Sequence, residues 1–294
     1  MKPLPEHFPV AVVGVGNMGA AMAANLLARG WTVHVHDVIE TRTRDLVPFG
    51  AFAHASPTVA AMNCVAVIVC VVDAPQCEAV LFGVDGVAHA MQPGQMVMLC
   101  PTLSPEDVAS LAHRLQARGL HVIDAPMSGG PARARDGSMS LMVACENAVF
   151  DQFSALIHAL STKVFRIGER VGDGARTKLV NNLAAGINLV AAAEVMALAQ
   201  RMGLDLPTTL DVIEQSSGQS WIGSDRMRRA ITGDYAPRAH MTLLEKDTRL
   251  AVAAAQQVGF VGPLGPAARD AFAQASASGL AEMDDAALLK WLTP

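Results

Sequence analysis

The sequence predicts an α/β protein in two parts, with a doubly wound, parallel sheet in residues 1–168 and an all-α domain in residues 169–294. β-rich runs alternate with helix-length segments from Val10 to about Phe165. The first runs are nearly continuous hydrophobics, as expected for strands that are buried on both faces. No strand candidate follows Gly168. With 294 residues, 51% of them hydrophobic and 17% charged, the chain is long and apolar enough for two packed cores.

Seven β-rich runs are the strand candidates of the first domain. Glycine, proline and polar turn residues bound them, and helix-length segments fill the spaces between them, which is typical of βαβ units. The runs begin at Val10, Trp31, Val65, Gln95, His121, Ser138 and Lys163.

The second domain reads as helices that are separated by breaks such as MGLDLP, SSGQS, TGDYAP and GFVGPLGP. The boundary is predicted at the turn that contains Gly168, followed by one long helix over residues 173–201. The most apolar stretch, residues 183–199, carries Asn188 and Glu194 and is rich in small residues. This favours a buried helix over a membrane span.

Charge and cysteine usage exclude several classes of partner. The formal net charge is -5 and there is no lysine or arginine run, so no nucleic-acid partner is expected. Five scattered cysteines without a CxxC pair, and a start without a signal-peptide stretch, favour a reducing cytoplasm. His34 and His36 share one face of a strand, but no third ligand is near in sequence, so no metal site is predicted.

The segment GVGNMG follows the first strand directly and opens a helix, which is typical of a Rossmann-type dinucleotide site. In that motif Gly14 permits the tight turn, Gly16 lets the backbone approach the pyrophosphate, and Gly19 lets the helix pack on the strand. An ordinary β-to-α turn explains three glycines at this spacing poorly. The predicted cofactor contacts here are Gly14, Val15, Gly16, Asn17, Met18 and Gly19.

Asp37 ends the second strand about twenty residues beyond the turn, where a carboxylate accepts hydrogen bonds from the adenosine ribose. A carboxylate there also repels a 2'-phosphate, so the sequence favours NAD over NADP. Arg42 and Arg44 follow closely and would pair with a phosphate if their loop turned them inward. NADP therefore stays the alternative.

Further segments follow in a fixed order: PTLSP at Pro101, DAPMSGGPARARDGSM at Asp124, GDGARTKLVNN at Gly172 and KDTRLA at Lys246. Together with the glycine turn, they make the chain resemble the β-hydroxyacid dehydrogenase family over almost its whole length. The resemblance implies a hydroxy-acid substrate that is bound in a cleft between a cofactor domain and a helical domain. It also implies a homodimer or homotetramer that is joined through the helical halves.

The resemblance assigns the substrate anchors to the segment that follows Asp124. A hydroxyl and two backbone N–H groups at the carboxyl end of a strand suit a carboxylate, and glycine lets the carboxylate approach. The alternative is a Pro-Met-Ser-Gly-Gly turn that binds no ligand. The implied anchors are Ser128, Gly129 and Gly130.

The resemblance places the catalytic lysine at Lys178 and the substrate-orienting asparagine at Asn182. Gly174, Lys178 and Asn182 are four residues apart, so they form one stripe on a helix, with a glycine that leaves room beside the lysine. Desolvation and a positive nicotinamide would lower the pKa of the lysine, which then removes the C3 hydroxyl proton as hydride passes to the cofactor. Taken alone, this lysine would read as a solvated helix residue.

Cofactor contacts outside the glycine turn come from the resemblance as well. They are Val71, Val72, Asp73, Thr102 and Lys246. The last of these also suits a surface ion pair with the adjacent aspartate. Two departures from the family pattern stand out. Leu-Cys-Pro-Thr replaces the usual Asp-x-Ser-Thr at residues 99–102, and an aspartate replaces the usual proline at position 73.

The segment GQSWIGSDRMRRAITGDYAP resembles the L-threonate branch of the family more than the 3-hydroxyisobutyrate branch. Its polar Ser217, Gln219 and Ser220 would bind extra hydroxyls, whereas a methyl-bearing acid favours an apolar pocket. Two other functions remain open. One is reduction of a small semialdehyde, such as tartronate or succinate semialdehyde, and the other is a redox sensor that binds NAD without turnover, which Lys178 argues against.

Overall fold

The computed structural model describes residues 4–293, so residues 1–3 and 294, at the outer ends of the two predicted domains, lie outside the described part. Contacts divide the chain into two compact units, and the division falls between Lys178 and Leu179. The sequence instead placed the boundary before the long helix, at Gly168. The division comes later because the first turn of that helix is hydrogen-bonded to the first unit.

Within the described residues, the first unit contains a nine-stranded sheet and eight α-helices that lie wholly inside the unit. The strands are β1 (Val10–Val13), β2 (Val33–His36), β3 (Phe52–Ala53), β4 (Ala66–Val69), β5 (Met96–Leu99), β6 (His121–Asp124), β7 (Met127–Ser128), β8 (Ser140–Ala144) and β9 (Lys163–Gly168). The helices are α1 (Asn17–Ala28), α2 (Glu40–Arg44), α3 (Pro57–Ala61), α4 (Ala74–Phe82), α5 (Pro105–Gln116), α6 (Gly130–Asp136), α7 (Asn147–Gln152) and α8 (Ser154–Leu160).

The strand order is β3-β2-β1-β4-β5-β6-β8-β7, with β9 beside β8. The doubly wound, mostly parallel sheet and all seven predicted strands are confirmed. The sheet is not parallel throughout, because β8 runs antiparallel to β6 and β7. The chain from β6 to β8 passes through β7 and the seven-residue α6, and β7 already pairs antiparallel with β8, so the chain reverses direction before β8 joins β6. Strands β3 and β7 are two residues long, too short to show a periodicity.

The central strands β1, β4 and β5 are buried on both faces, as their apolar runs predicted. Along β1, Val10 and Val12 belong to one hydrophobic cluster, and Ala11 and Val13 belong to another. The strand order reverses between β1 and β4. Doubly wound sheets bind their ligands in the crevice at the carboxyl ends of the two strands that flank such a reversal.

The rest of the described chain is helical, as predicted. Its helices are α9 (Asp173–Arg201), α10 (Leu206–Glu214), α11 (Trp221–Ile231), α12 (Met241–Gln257), α13 (Leu264–Ala275) and α14 (Leu288–Leu292). By length and hydropathy alone α9 could cross a membrane, and 39% of its most apolar stretch of 18 residues is buried inside the protein. The same helix contributes Leu189, Ala193 and Met196 to the core of the second unit.

Candidate active site

The glycine turn lies between β1 and α1, and two of its glycines are required by packing within the protein. Gly14 has φ +88°, and a Cβ there would lie 2.6 Å from the Cys70 carbonyl oxygen. A Cβ on Gly19 would lie 1.9 Å from the Gly14 carbonyl oxygen. Any side chain at either position would therefore push α1 or β4 away from the turn.

Gly16 differs because no atom of the protein needs the space that a Cβ would fill. Its φ is −67°, which any residue adopts, and the atom nearest to a Cβ added there would be Arg42 Nη1, at 3.9 Å. Gly16 is also the residue that precedes the first turn of α1, whose N–H groups have no partners within the helix. This cradle fits the pyrophosphate of a dinucleotide. Beside it, Val15 is buried, Met18 is half-buried and Asn17 is exposed.

Asp37 is tied to the glycine turn rather than projecting into solvent. Its Oδ2 accepts the Val15 N–H at 2.9 Å, and its Oδ1 accepts the Ile39 N–H at 2.9 Å. Oδ2 keeps a second lone pair for a ribose hydroxyl. Arg42 Nη1 lies 3.4 Å from Oδ1 on a half-exposed side chain, so a cation stands next to the predicted ribose site.

Further predicted cofactor contacts follow β4 and β5, at the carboxyl ends of these strands. Asp73, which replaces the usual proline, begins α4: its Oδ1 accepts the Gln76 N–H at 2.9 Å. The Val72 N–H donates to Gln76 Oε1 at 3.1 Å. Val71 and Thr102 are half-buried.

Cys100 and the paired histidines give no sign of a second reactive centre. Burial raises the pKa of the Cys100 thiol well above its usual value, so this thiol is not an activated nucleophile. His34 Nδ1 lies 2.8 Å from His54 Nε2, and His36 Nδ1 lies 3.0 Å from the His54 carbonyl oxygen. Within residues 4–293, no group of three or more metal-ligating side chains is close enough to hold an ion.

Ser128, Gly129 and Gly130 lie where β7 passes into α6. Gly129 has φ +127° and Gly130 has φ +76°, so both adopt a backbone conformation that other residues rarely take. A Cβ on Gly130 would meet no atom within 4 Å, which leaves its backbone open to a ligand. Ser128 is half-buried beside them.

Lys178 is brought to this segment by the second turn of α9. Its side chain is buried, with the residue only 7% exposed, and its Nζ donates to the Met127 carbonyl oxygen at 2.5 Å. Met127 directly precedes Ser128, so two segments that are fifty-one residues apart in sequence meet at one point. Lys178 is therefore not the solvated lysine that its sequence alone would suggest.

Gly174 has a role that differs from the one expected from sequence. We expected it to leave room beside the lysine, but a Cβ on Gly174 would lie 2.9 Å from Asp124 Cγ. The space belongs to Asp124, which is 1% exposed and accepts the N–H groups of Gly172 and Ala175. From sequence, Asp124 had stood only as part of a motif. A carboxylate that ends an apolar strand was the available signal.

The second unit contains a buried polar cluster around Asn182, which is 7% exposed. Asn182 Nδ2 donates to Asp247 Oδ2 at 2.5 Å, and Lys246 Nζ lies 3.1 Å from Asp247 Oδ1. The ion pair between Lys246 and the adjacent aspartate therefore exists. The sequence predicted it at the surface, as an alternative to a cofactor contact, but both side chains are largely buried. Asp247 was given no role from sequence, although its position after Lys246 was the signal.

The polar residues of the substrate-branch segment lie between α10 and α11. Ser220 begins α11, and its Oγ accepts the Gly223 N–H at 3.1 Å. Ser217 and Gln219 are exposed. Binding of substrate hydroxyls by these residues stays a prediction.

Comparison with known proteins gives matches along both units. The family described as the NAD binding domain of 6-phosphogluconate dehydrogenase matches residues 9–168. The family described as NAD-binding of NADP-dependent 3-hydroxyisobutyrate dehydrogenase matches residues 172–292. Together the two matches leave only short stretches of the chain uncovered.

Individual relatives match over nearly their whole length. L-threonate dehydrogenase of Cupriavidus necator is 37% identical over 96% of this chain and 95% of its own. 3-Hydroxyisobutyrate dehydrogenase of Pseudomonas aeruginosa is 33% identical over 90% of each chain. A crystal structure of 3-hydroxyisobutyrate dehydrogenase from Salmonella typhimurium has a TM-score of 0.92, with 36% identity over 97% of this chain and 99% of the other.

Proposed function

Because this chain belongs to the β-hydroxyacid dehydrogenase family and is an NAD(P)-dependent oxidoreductase, we propose that it oxidises the C3 hydroxyl of a small β-hydroxy acid. Lys178 is the general acid–base, and Ser128 with the Gly129 and Gly130 N–H groups binds the substrate carboxylate. Asn182 orients the substrate. When bound, the nicotinamide supplies the hydride acceptor.

The contact between Lys178 and Met127 carries this proposal. The buried Lys178 amine donates to the carbonyl oxygen of the residue before Ser128. The Ser128 hydroxyl is followed by the N–H groups of Gly129 and Gly130, and the backbone of Gly130 is open to a ligand. Such a set can bind an anionic carboxylate and deprotonate a hydroxyl a few ångströms away. A lysine with a purely structural role would not need a serine hydroxyl and two glycine N–H groups next to its amine.

The same contact explains how Lys178 can work as a base. A neutral amine keeps two N–H donors and one lone pair. One N–H stays on the Met127 carbonyl, which fixes Nζ, while the lone pair accepts the hydroxyl proton. In the reverse direction the resulting ammonium returns that proton to a carbonyl oxygen, so the same residues also serve reduction of a semialdehyde.

Replacing Lys178 with alanine tests the proposal. We expect kcat to fall at least about a hundredfold, the usual contribution of a general base, while NADH binding by fluorescence changes little. Lys163→Ala, at an exposed lysine of β9, is the matched control and should keep full turnover. A Lys178→Ala enzyme with near-normal kcat would refute the assignment.

For the substrate we propose a four-carbon sugar acid such as L-threonate, with 3-hydroxyisobutyrate as the second candidate. The identity to the Cupriavidus relative and the polar Ser217 and Gln219 support the sugar acid. Initial rates with three- to six-carbon hydroxy acids, with semialdehydes in the reverse direction, rank the candidates. Product NMR identifies the oxidised carbon, and oxidation at C2 would contradict the proposed C3 chemistry.

For the cofactor we propose NAD. The supporting observation is Asp37, which is held at the turn by two N–H groups where a 2'-phosphate would meet a carboxylate. Arg42 is the opposing feature, since it would pair with that phosphate. We expect a higher kcat/KM with NAD than with NADP. A preference for NADP that Arg42→Ala removes would overturn the choice.

We also propose that the protein forms a homodimer or homotetramer through its helical unit. On α9 and just beyond it, Val195, Leu198 and Met202 follow a spacing of three and four residues and are about half exposed or more. An exposed apolar stripe of this kind suits burial against another copy of the chain. Light scattering coupled to size exclusion measures the mass, and a monomer at micromolar concentration would contradict the proposal.

A further inference from the structure

Asp124 lies at the end of β6, and its carboxylate is directed at the start of α9. Its Oδ2 accepts the Gly172 N–H at 2.8 Å and the Ala175 N–H at 3.1 Å. The N–H groups of a first helical turn have no partners within the helix, and they attract an anion. Asp124 therefore fixes where α9 begins.

We propose that Asp124 is a positioning residue for proton transfer: its carboxylate anchors the start of α9 so that Lys178 stays on the Met127 carbonyl, beside Ser128. This inference rests on the proposed role of Lys178. It adds a residue that does not itself touch substrate or cofactor but that determines where the amine lies.

The contacts form a closed path through two segments of the chain. Met127 is three residues after Asp124, and Lys178 is three residues after Ala175, about 4.5 Å further along the helix axis. A shift of the helix start relative to β6 therefore moves Nζ relative to Ser128 by a similar amount. A misplacement of 1 Å can cost about a hundredfold in rate.

A charged carboxylate at Asp124 does not make the folded state more stable. Burial raises the pKa of Asp124 to about 6, so its ionised carboxylate, the stronger acceptor for the Gly172 and Ala175 N–H groups, weakens the fold at neutral pH. The backbone N–H groups of Gly172, Gly174 and Ala175 lower that pKa in part, while Asp173 adds to the rise. A buried charge that is retained at a cost in stability suits a role in geometry.

The test measures kcat, KM and NADH affinity for Asp124→Ala and Asp124→Asn, with the best hydroxy acid from the substrate screen. We expect Asp124→Ala to lower kcat about a hundredfold while NADH affinity and the KM for NAD stay within about threefold. Asp124→Asn keeps an oxygen for the Gly172 and Ala175 N–H groups, so it should recover part of the loss. A purely structural residue would instead lower kcat and the concentration of NADH sites together.

Several results would overturn the inference: kcat within threefold of wild type in Asp124→Ala, no recovery in Asp124→Asn, or parallel loss of kcat and NADH sites. If Asp124→Ala does not fold, Gly174→Ala replaces it. A methyl group there lies 2.9 Å from both Asp124 Cγ and the Met142 carbonyl oxygen, so it pushes the start of α9 away from the carboxylate without removing the carboxylate. That variant should also lose kcat at unchanged NADH affinity, and full activity there would refute the inference.

Two further variants separate this inference from the proposed function. Asp205→Ala removes another helix-capping aspartate, which accepts the Thr208 N–H at 2.9 Å in the second unit, and should leave kcat unchanged. Lys178→Ala tests the base itself. Normal turnover there refutes the proposed function and this inference with it, whereas an inactive Lys178→Ala beside a fully active Asp124→Ala refutes this inference alone.

Discussion

Gly16 and Gly19 lie in one turn, yet an alanine at each should have opposite effects. The reason is what a methyl group would meet. At Gly19 it would lie 1.9 Å from the Gly14 carbonyl oxygen, whereas at Gly16 the nearest atom is 3.9 Å away at the end of the flexible Arg42 side chain. The structure therefore assigns Gly19 to the fold and leaves Gly16 to the ligand.

The magnitudes follow from these distances. Gly19→Ala forces α1 away from β1, and overpacking of this kind costs about 3 kcal/mol or more. For Gly16→Ala, the poorer helix cap costs up to about 1 kcal/mol, and the reduced freedom of the unfolded chain returns about 0.4–1 kcal/mol. The net change in stability at Gly16 is therefore close to zero. A methyl group in the path of the pyrophosphate should still weaken NADH binding at least about tenfold, or about 1.4 kcal/mol.

Both quantities can be measured on the same samples. Urea unfolding followed by circular dichroism gives the stability of each variant, and nucleotide fluorescence gives the NADH dissociation constant. We expect Gly19→Ala to unfold at lower urea, and Gly16→Ala to unfold with the wild type but to bind NADH poorly. If Gly16→Ala binds NADH as tightly as the wild type, the cradle is not where the pyrophosphate lies.

Two further predictions concern buried charges. Because the pKa of Asp124 rises from 3.8 to about 6 on folding, protonated Asp124 stabilises the folded state below pH 4, and about 3 kcal/mol of this stabilisation is lost as the pH rises through 6. The unfolding free energy of the wild type, measured relative to that of Asp124→Asn, should therefore fall between pH 4 and 7, and a constant difference would contradict this. In the second unit, buried Arg229 donates to Asp284 at 3.0 Å, so Arg229→Ala should cost about 3–5 kcal/mol in urea unfolding. Its neighbour Arg228 pairs on the surface, so Arg228→Ala should cost less than about 1 kcal/mol, and similar losses for both would refute the reasoning.

Much of the fold could be predicted because its signals are local. Seven strands, the helix over residues 173–201 and the all-helical second unit each follow from apolar runs, turn residues and period. The orientation of β8 could not be predicted, since pairing between β6 and β8 depends on how the chain returns through α6. Strands β3 and β7 were not predicted because two residues are too few to show a periodicity.

The candidate site likewise has one part that could be predicted from the sequence and another that could not. The spacing of Gly14, Gly16 and Gly19 indicates a dinucleotide turn because the whole motif lies within one short segment. The contacts of Asp124 and Asp247 could not be predicted because their partners lie far along the chain: the N–H groups at the start of α9 and the Asn182 amide.

The sequence by itself determined the fold class and indicated the dinucleotide turn, because backbone propensities and motif spacing act within a few residues. The residues proposed for hydroxy-acid chemistry came from the resemblance to a family. Only the tertiary structure decided that Lys178 is buried on the Met127 carbonyl, and that the space at Gly174 belongs to Asp124. Burial and hydrogen bonding between distant segments are properties of packing. They exist only once β6 and α9 have met, so no local pattern in the sequence encodes them.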